Sequence, residues 1–229
     1  MPSPPNTESP AALVNFIFRQ LPDDVVDQIG AHRGGAYHQE PGASVPHESV
    51  IAVVGGAAVA AGQDTLTTGL VQNLAEDSSL PLPHGVGKGG YSIMVGDATF
   101  EASAQSPEAG GADAAANTFM TVSGADYIIK DESSDGGWQA NDAWASSELS
   151  YIALNINGWS PDGGPLVYEL RQPGHQFQPD GHQLTHGNYA DVIAMAEAHG
   201  AGSLSATLTN ALTVENQFSF VNAIAVVAV

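Results

Sequence analysis

The chain contains no cysteine, so disulfide staples and thiolate metal centres are excluded. It is also nearly devoid of cations. Arg19, Arg33, Lys88, Lys130 and Arg171 make up its Lys and Arg, against 25 acidic residues, for a formal charge of −20. Such a chain repels phosphate backbones and anionic lipid, so neither nucleic acid nor a membrane surface is an expected partner. Charge of either sign is scarce all the same, at 13% of residues. The exposed surface must therefore be largely Ser, Thr, Asn, Gln and Gly, with an acidic bias. Long hydrophobic runs are missing too. The longest, Val50 to Ala61, falls short of the ~20 residues of a membrane span and contains Gly55-Gly56, so no membrane insertion is expected. Met1-Pro-Ser-Pro-Pro has no basic segment before an apolar one, so no cleavable signal peptide is expected. The location stays open among a virion, a cell surface reached by signal-independent export, and the cytoplasm.

What is present is β-periodicity. From Leu204 to Ala228 the even positions read Leu, Ala, Leu, Asn, Leu, Val, Asn, Phe, Phe, Asn, Ile, Val and Ala, while the odd positions up to Ser219 are mostly Ser, Thr, Glu and Gln. Only extended chain puts residues i and i+2 on one face. As one strand this stretch would run about 85 Å, too long for an ordinary domain. Its unbroken parity predicts a fold-back through a bulge or three-residue turn near Glu215-Asn216. The even face, with Leu208, Leu212, Phe218, Phe220 and Ile224, is expected to be core or interface.

Val50 to Val54, Tyr91 to Ala102, Thr118 to Ser123, Asp126 to Lys130, Leu149 to Asn157 and Leu166 to Arg171 read as further strands, with Gln105 to Asn117 a small-residue loop. Short helices are expected over Ser9–Leu21, from Asp64 with Leu66, Leu70, Val71 and Leu74 on one side, and over Asn188–His199 with Val192, Met195 and Ala196 inward, and a short turn over Asp23–Ile29. The fold expected is mainly β, an antiparallel sandwich or jelly roll with two or three short helices, mostly N-terminal. Residues 1–229 read as one domain: a mixed helix/strand part over 1–77, a Pro- and Gly-rich connection over 78–90, and a β-rich part over 91–229.

Three constellations could carry chemistry. Asp131-Glu-Ser-Ser-Asp135-Gly136, with Asp142 twelfth, resembles the calcium loop of EF-hand-type proteins, in which alternating oxygen ligands wrap a hard cation. The resemblance implies that Asp131, Ser133 and Asp135 are side-chain ligands, that Gly137 offers a carbonyl, and that Asp142 closes a calcium site. Asp at the last position and Trp138 within the loop depart from the pattern. The second set is His175, Asp180, His182 and His186, residue types that would suit a transition metal such as Fe(II) or Zn. The third is Trp138, Trp144 and Trp159 among acidic and Gly-rich segments, a composition that suits a carbohydrate platform. The ordinary alternatives are an acidic turn, surface histidines and core tryptophans.

No nucleophile elbow, phosphate-binding loop or dinucleotide glycine pattern occurs. An enzyme is therefore not the first expectation. That is a structural protein assembling with itself as a homo-oligomer: a coat, capsid, tail or surface component. A calcium- or carbohydrate-binding β module comes second, and a metal-dependent enzyme on the histidine set third.

Overall fold

A computed structural model describes residues 49–78, 90–156, 165–169 and 187–229. These residues form ten strands: β1 Ile51–Ala61, β2 Asp64–Ser78, β3 Tyr91–Gln105, β4 Asp113–Ser123, β5 Tyr127–Gln139, β6 Asp142–Ile156, β7 Leu166–Glu169, β8 Asn188–His199, β9 Leu204–Val214 and β10 Phe218–Ala228. Their order is β4-β1-β10-β9 in a small sheet and β7-β5-β6-β3-β2-β8 in a large one. Inward side chains of both sheets form one apolar interior, the arrangement of a sandwich. The expected mainly β, two-sheet arrangement is present, but its strands are not all antiparallel. β8 runs parallel to β2, and β7 parallel to β5.

Two expected helices are strands, and no helix occurs among the described residues. Leu66, Leu70 and Leu74 of β2 recur every four residues, a spacing that a strand also keeps on one face because four is a multiple of two. Here they point away from the interior, while Thr65, Thr67, Val71, Asn73 and Ala75 point in. In β8 the inward residues are Ala190, Val192, Ala194, Ala196 and Ala198. Alanine favours helix in isolation, but pairing with β2 overrides that preference. The small-residue segment Gln105–Asn117 is likewise strand from Asp113 onward, and β3 runs unbroken through Gly96-Asp97. The helix expected over Ser9–Leu21 and the turn expected over Asp23–Ile29 lie outside the described residues.

β9 and β10 form the expected hairpin. Its turn is Glu215-Asn216-Gln217, with Asn216 at φ 57° and the Gln217 N–H donating to the Val214 carbonyl at 3.0 Å. The even face is not core. On β10 it is Ser219, Val221, Ala223, Ala225 and Val227 that are buried; the larger Phe218, Phe220, Ile224 and Val226 face outward. The reason is the thinness of the interior. It is mostly Ala and Val, and its one large aromatic ring from β3, Phe100, lies between Gly56 of β1 and Gly69 of β2. A Cβ at Gly56 or Gly69 would stand 2.5 or 2.6 Å from that ring. Both parities of β10 are apolar, so the narrow gap selects the smaller set.

A buried polar bridge crosses this interior. Asn73 of β2 donates through Nδ2 to the carbonyls of Ala52 (3.2 Å) and Ala225 (3.1 Å) in the opposite sheet. Its Oδ1 accepts from the Tyr151 hydroxyl of β6. Gly96 leaves room for the Tyr151 ring. A second link joins the hydroxyls of Thr118 on β4 and Ser147 on β6 at 2.8 Å. At one end the large sheet is buried on both faces, because the outward-pointing Tyr91, Ile93, Tyr127, Ile129, Leu154 and Ile156 are also buried.

Tyr151→Phe leaves the Asn73 carbonyl oxygen buried without its donor and should cost about 1–3 kcal/mol in urea unfolding. Burial raises the Tyr151 phenol above its ordinary value, although its bond to Asn73 pulls the other way. Tyr127 is pushed up to about 12 by burial, then by Asp126 and Tyr168. Both folded values lie above the unfolded one, near 10. The protonated phenols thus contribute stability in full below about pH 10, and that contribution is lost as pH rises through the folded values. Urea midpoints should fall over that alkaline range, and less steeply in Tyr151→Phe and Tyr127→Phe. Gly69→Ala should cost roughly 1–3 kcal/mol by crowding Phe100, with much of the loss recovered when Phe100→Leu is added.

Candidate functional site

The two outer faces of the sandwich differ in chemistry. Strand pairing and burial place Asp64 and Glu76 of β2, Asp97 and Glu101 of β3, Asp131 and Asp135 of β5, Asp142 and Glu148 of β6, and Asp191 and Glu197 of β8 on the outside of the large sheet. The acids of its middle are spaced rather than gathered. Cross-strand rows read Asp131–Ser150–Asp97, Ser133–Glu148–Thr99 and Asp135–Ser146–Glu101. Carboxylates thus alternate with hydroxyls, and direct like-charge pairs, which destabilise a sheet, are avoided. The one Lys or Arg among the described residues, Lys130, is engaged by Glu169 at 3.0 Å and Glu132 at 3.9 Å.

The small sheet presents the opposite character. Its four strands are each eleven residues long. Reading across β4-β1-β10-β9, the outward rows are Ser123–Ile51–Ala228–Leu204, Thr121–Val53–Val226–Ala206, Phe119–Gly55–Ile224–Leu208, Asn117–Ala57–Asn222–Asn210, Ala115–Val59–Phe220–Leu212 and Asp113–Ala61–Phe218–Val214. Asp113, at one corner, is the only charged residue among them. Leu204, Leu208 and Leu212 are 59, 56 and 52% exposed, and Phe119 is 40% exposed beside Gly55. Within the polar row, Asn210 donates to the Asn222 side-chain oxygen at 2.8 Å. At ~3.4 Å per residue and ~4.8 Å between strands, the whole face measures on the order of 700 Å², with apolar rows on both sides of the Asn row.

The expected ion-binding residues do not form a loop. Asp131, Ser133, Asp135 and Gly137 follow one another along the outer side of β5, and Asp142 begins β6 across a two-residue turn. Alternate residues of a strand lie about 6.6–6.8 Å apart, whereas calcium ligands all stand within about 2.6 Å of the ion. The strand therefore holds these residues in a row. Among the described residues no three His, Asp or Glu side chains gather as a metal site would require. His175, Asp180, His182 and His186 lie outside the described residues, as does Trp159. Trp138 and Trp144 occupy opposite faces of the large sheet, since Trp138 pairs with Ala143 and Trp144 with Gly137. Trp138 is exposed, whereas the Trp144 ring lies over Gly137 and its Nε1 is buried without a hydrogen-bond partner. The described pair forms no common platform.

The exposed leucines were on the even parity singled out in the sequence, but nothing there tells which side of a doubly apolar strand faces in. Phe119 gave no signal beyond its place in an alternating segment. The turn joining β5 and β6 carries Ala140 at φ 53°, a left-handed conformation costly for an L-residue and free for glycine. Ala140→Gly should raise stability by about 0.5–1 kcal/mol, read as a higher thermal midpoint with the β-sheet spectrum unchanged.

No helix among the described residues is long and apolar enough to cross a membrane. No family model, no curated protein and no solved structure matches this chain.

Proposed function

We propose that this is a non-enzymatic structural protein that assembles with itself through the small sheet. The observation that carries the reading is the outer face of that sheet, on the order of 700 Å² in all, mostly apolar on either side of the row through Asn117, Asn222 and Asn210 and with Asp113 as its sole charge, on a chain of formal charge −20. Standard protein interfaces bury about 800 Å² per partner, so the face has the size an association surface needs. Charge favours a second copy over an unrelated cationic partner, because this face offers a cation no carboxylate except one at its corner. It also selects the face. Two acidic large sheets repel each other, while two small sheets approach with little opposing charge. Salt strengthens such an association by screening the remaining repulsion.

Light scattering behind size-exclusion chromatography tests this. The wild type should exceed the 23.5 kDa of one chain, with mass rising with protein concentration and with salt. Leu204→Ser, Leu208→Ser and Leu212→Ser combined should lower the mass while leaving the thermal midpoint nearly unchanged, because all three side chains are exposed. A wild type that stays monomeric at high concentration and high salt overturns the reading.

A further inference from the structure

We infer that two copies pack small sheet on small sheet about a two-fold axis in the interface, parallel to the strands and midway between β1 and β10. In this arrangement β10 of each copy covers β1 of the other, and β9 covers β4. The inference rests on the self-assembly reading and names the geometry of the contact. Sheets packed face to face in this way stand about 10 Å apart with their strands within about 30° of each other, and both acidic large sheets stay outside. Each copy uses the same patch, so the contact closes at two subunits.

The relief of the face selects this axis. β1 is its low strand, with Gly55, Ala57 and Ala61 on the outside, and β10 beside it stands high, with Phe218, Phe220 and Ile224. Rotation about an axis along the strands keeps each row at its own level and exchanges the two sides of the sheet. The high strand of one copy therefore faces the low strand of the other. Ile224 meets the partner's Gly55, Phe218 meets the partner's Ala61, and Ala228 meets the partner's Ile51. The outer strands match in the same sense, Leu204 meeting the partner's Ser123 and Leu212 the partner's Ala115. The tip of the Phe119 ring is 3.0 Å from where a Cβ of Gly55 would stand. That ring leans over Gly55 and offers the partner's Ile224 an aromatic surface. Val59 against the partner's Phe220 is the bulkiest pair on these two strands.

The polar row sets the level. A buried amide left against hydrocarbon forfeits its hydrogen bonds, so Asn117, Asn222 and Asn210 need polar groups across the contact. Under this axis the row meets itself. At each of its ends an Asn117 faces the partner's Asn210, and each amide brings both a donor and an acceptor. Asn222, whose oxygen already accepts from Asn210 at 2.8 Å, faces the partner's Ala57. A polar position within an apolar contact can fix register in this way. Asp113, the one charge, falls at the corner of the contact opposite the partner's Val214. The rival two-fold axis runs along the rows. It sets β10 on β10 and β1 on β1, high on high and low on low. It brings the Asn row onto itself only when centred there, which leaves the row Ser123–Ile51–Ala228–Leu204 without a counterpart.

Two variants test the axis: Asn117→Lys/Asn210→Asp and Asn117→Asp/Asn210→Asp. Both positions are exposed, both variants lose the same Asn210 donor, and thermal melts check that both fold. In light scattering the wild type should level off at about twice the single-chain mass. The first variant should do the same, because each new carboxylate faces an ammonium of the partner. The second should stay at the single-chain mass, because carboxylates face each other at both ends of the row. It should do so in high salt as well, where its added net charge is screened. If neither variant dimerises, the inference is overturned in favour of the axis along the rows, which sets each new charge opposite its own copy. If both dimerise, the Asn row lies outside the contact and the inference is overturned as well. A wild type that grows past two subunits overturns the closed contact. A wild type that stays monomeric at high concentration and high salt instead removes the self-assembly reading itself.

Discussion

The buried Asn73 amide fixes how the two sheets align across an otherwise nearly uniform interior. An interior of alanine and valine is apolar but nearly uniform, and uniform packing tolerates sliding. The Asn73 amide does not. It reaches carbonyls of β1 and β10 in the small sheet while accepting from Tyr151, two strands away in its own sheet. A shift of either sheet by one residue would turn these groups away from each other and leave several of them buried and unpaired, each costing about 1–3 kcal/mol. The gap is narrow enough for a short amide to span because small residues line it. Phe100 is admitted only where Gly56 and Gly69 make room. Glycine placement, sheet separation and the polar bridge are thus one constraint.

That constraint also shapes the surface. A gap that admits Ala and Val on β10 sends Phe218, Phe220, Ile224 and Val226 outward, where they join Leu204, Leu208 and Leu212. The apolar outer face follows from the thin interior in a chain whose β10 is apolar on both parities. The acidic residues lie on the other sheet, alternating with Ser and Thr so that the sheet tolerates them. The molecule has one outer face studded with spaced carboxylates and one with a single charge, Asp113, at its corner.

Much of the β architecture was legible because alternation is a local property. The C-terminal hairpin, with its odd-length turn at Glu215–Gln217, could be read from parity alone. Residues 64–78 and 188–199 look helical in sequence because the leucines of β2 recur every four residues and β8 is rich in alanine. Neither pattern separates helix from strand without the partner that supplies the hydrogen bonds. Facing was illegible for a related reason. Burial depends on the space between sheets, which is fixed by glycines and alanines far away in sequence. The acidic segment from Asp131 carries the spacing of a calcium loop, yet a strand on each side of its turn uses the same residues to make a spaced, hydrated surface. The Asn73–Tyr151 bridge left no mark, since a lone asparagine within an apolar stretch can as easily be exposed.

The closing of the small sheet has a kinetic side. β1 lies between β4 and β10, and its pairing with β10 runs from Ile51↔Ala228 to Ala61↔Phe218, ending in paired bonds between Val50 and Val229. A strand made early in synthesis therefore waits for one made long after it, with the large sheet encoded in between. Loop closure over such separations is entropically expensive, and folds rich in such contacts form in milliseconds to seconds rather than microseconds. During that wait Ile51–Ala61, uncharged throughout, stands without its final neighbour. A chain that repels its own copies through 25 carboxylates is protected for that interval, so the charge displayed on the finished large sheet also guards the unfinished chain.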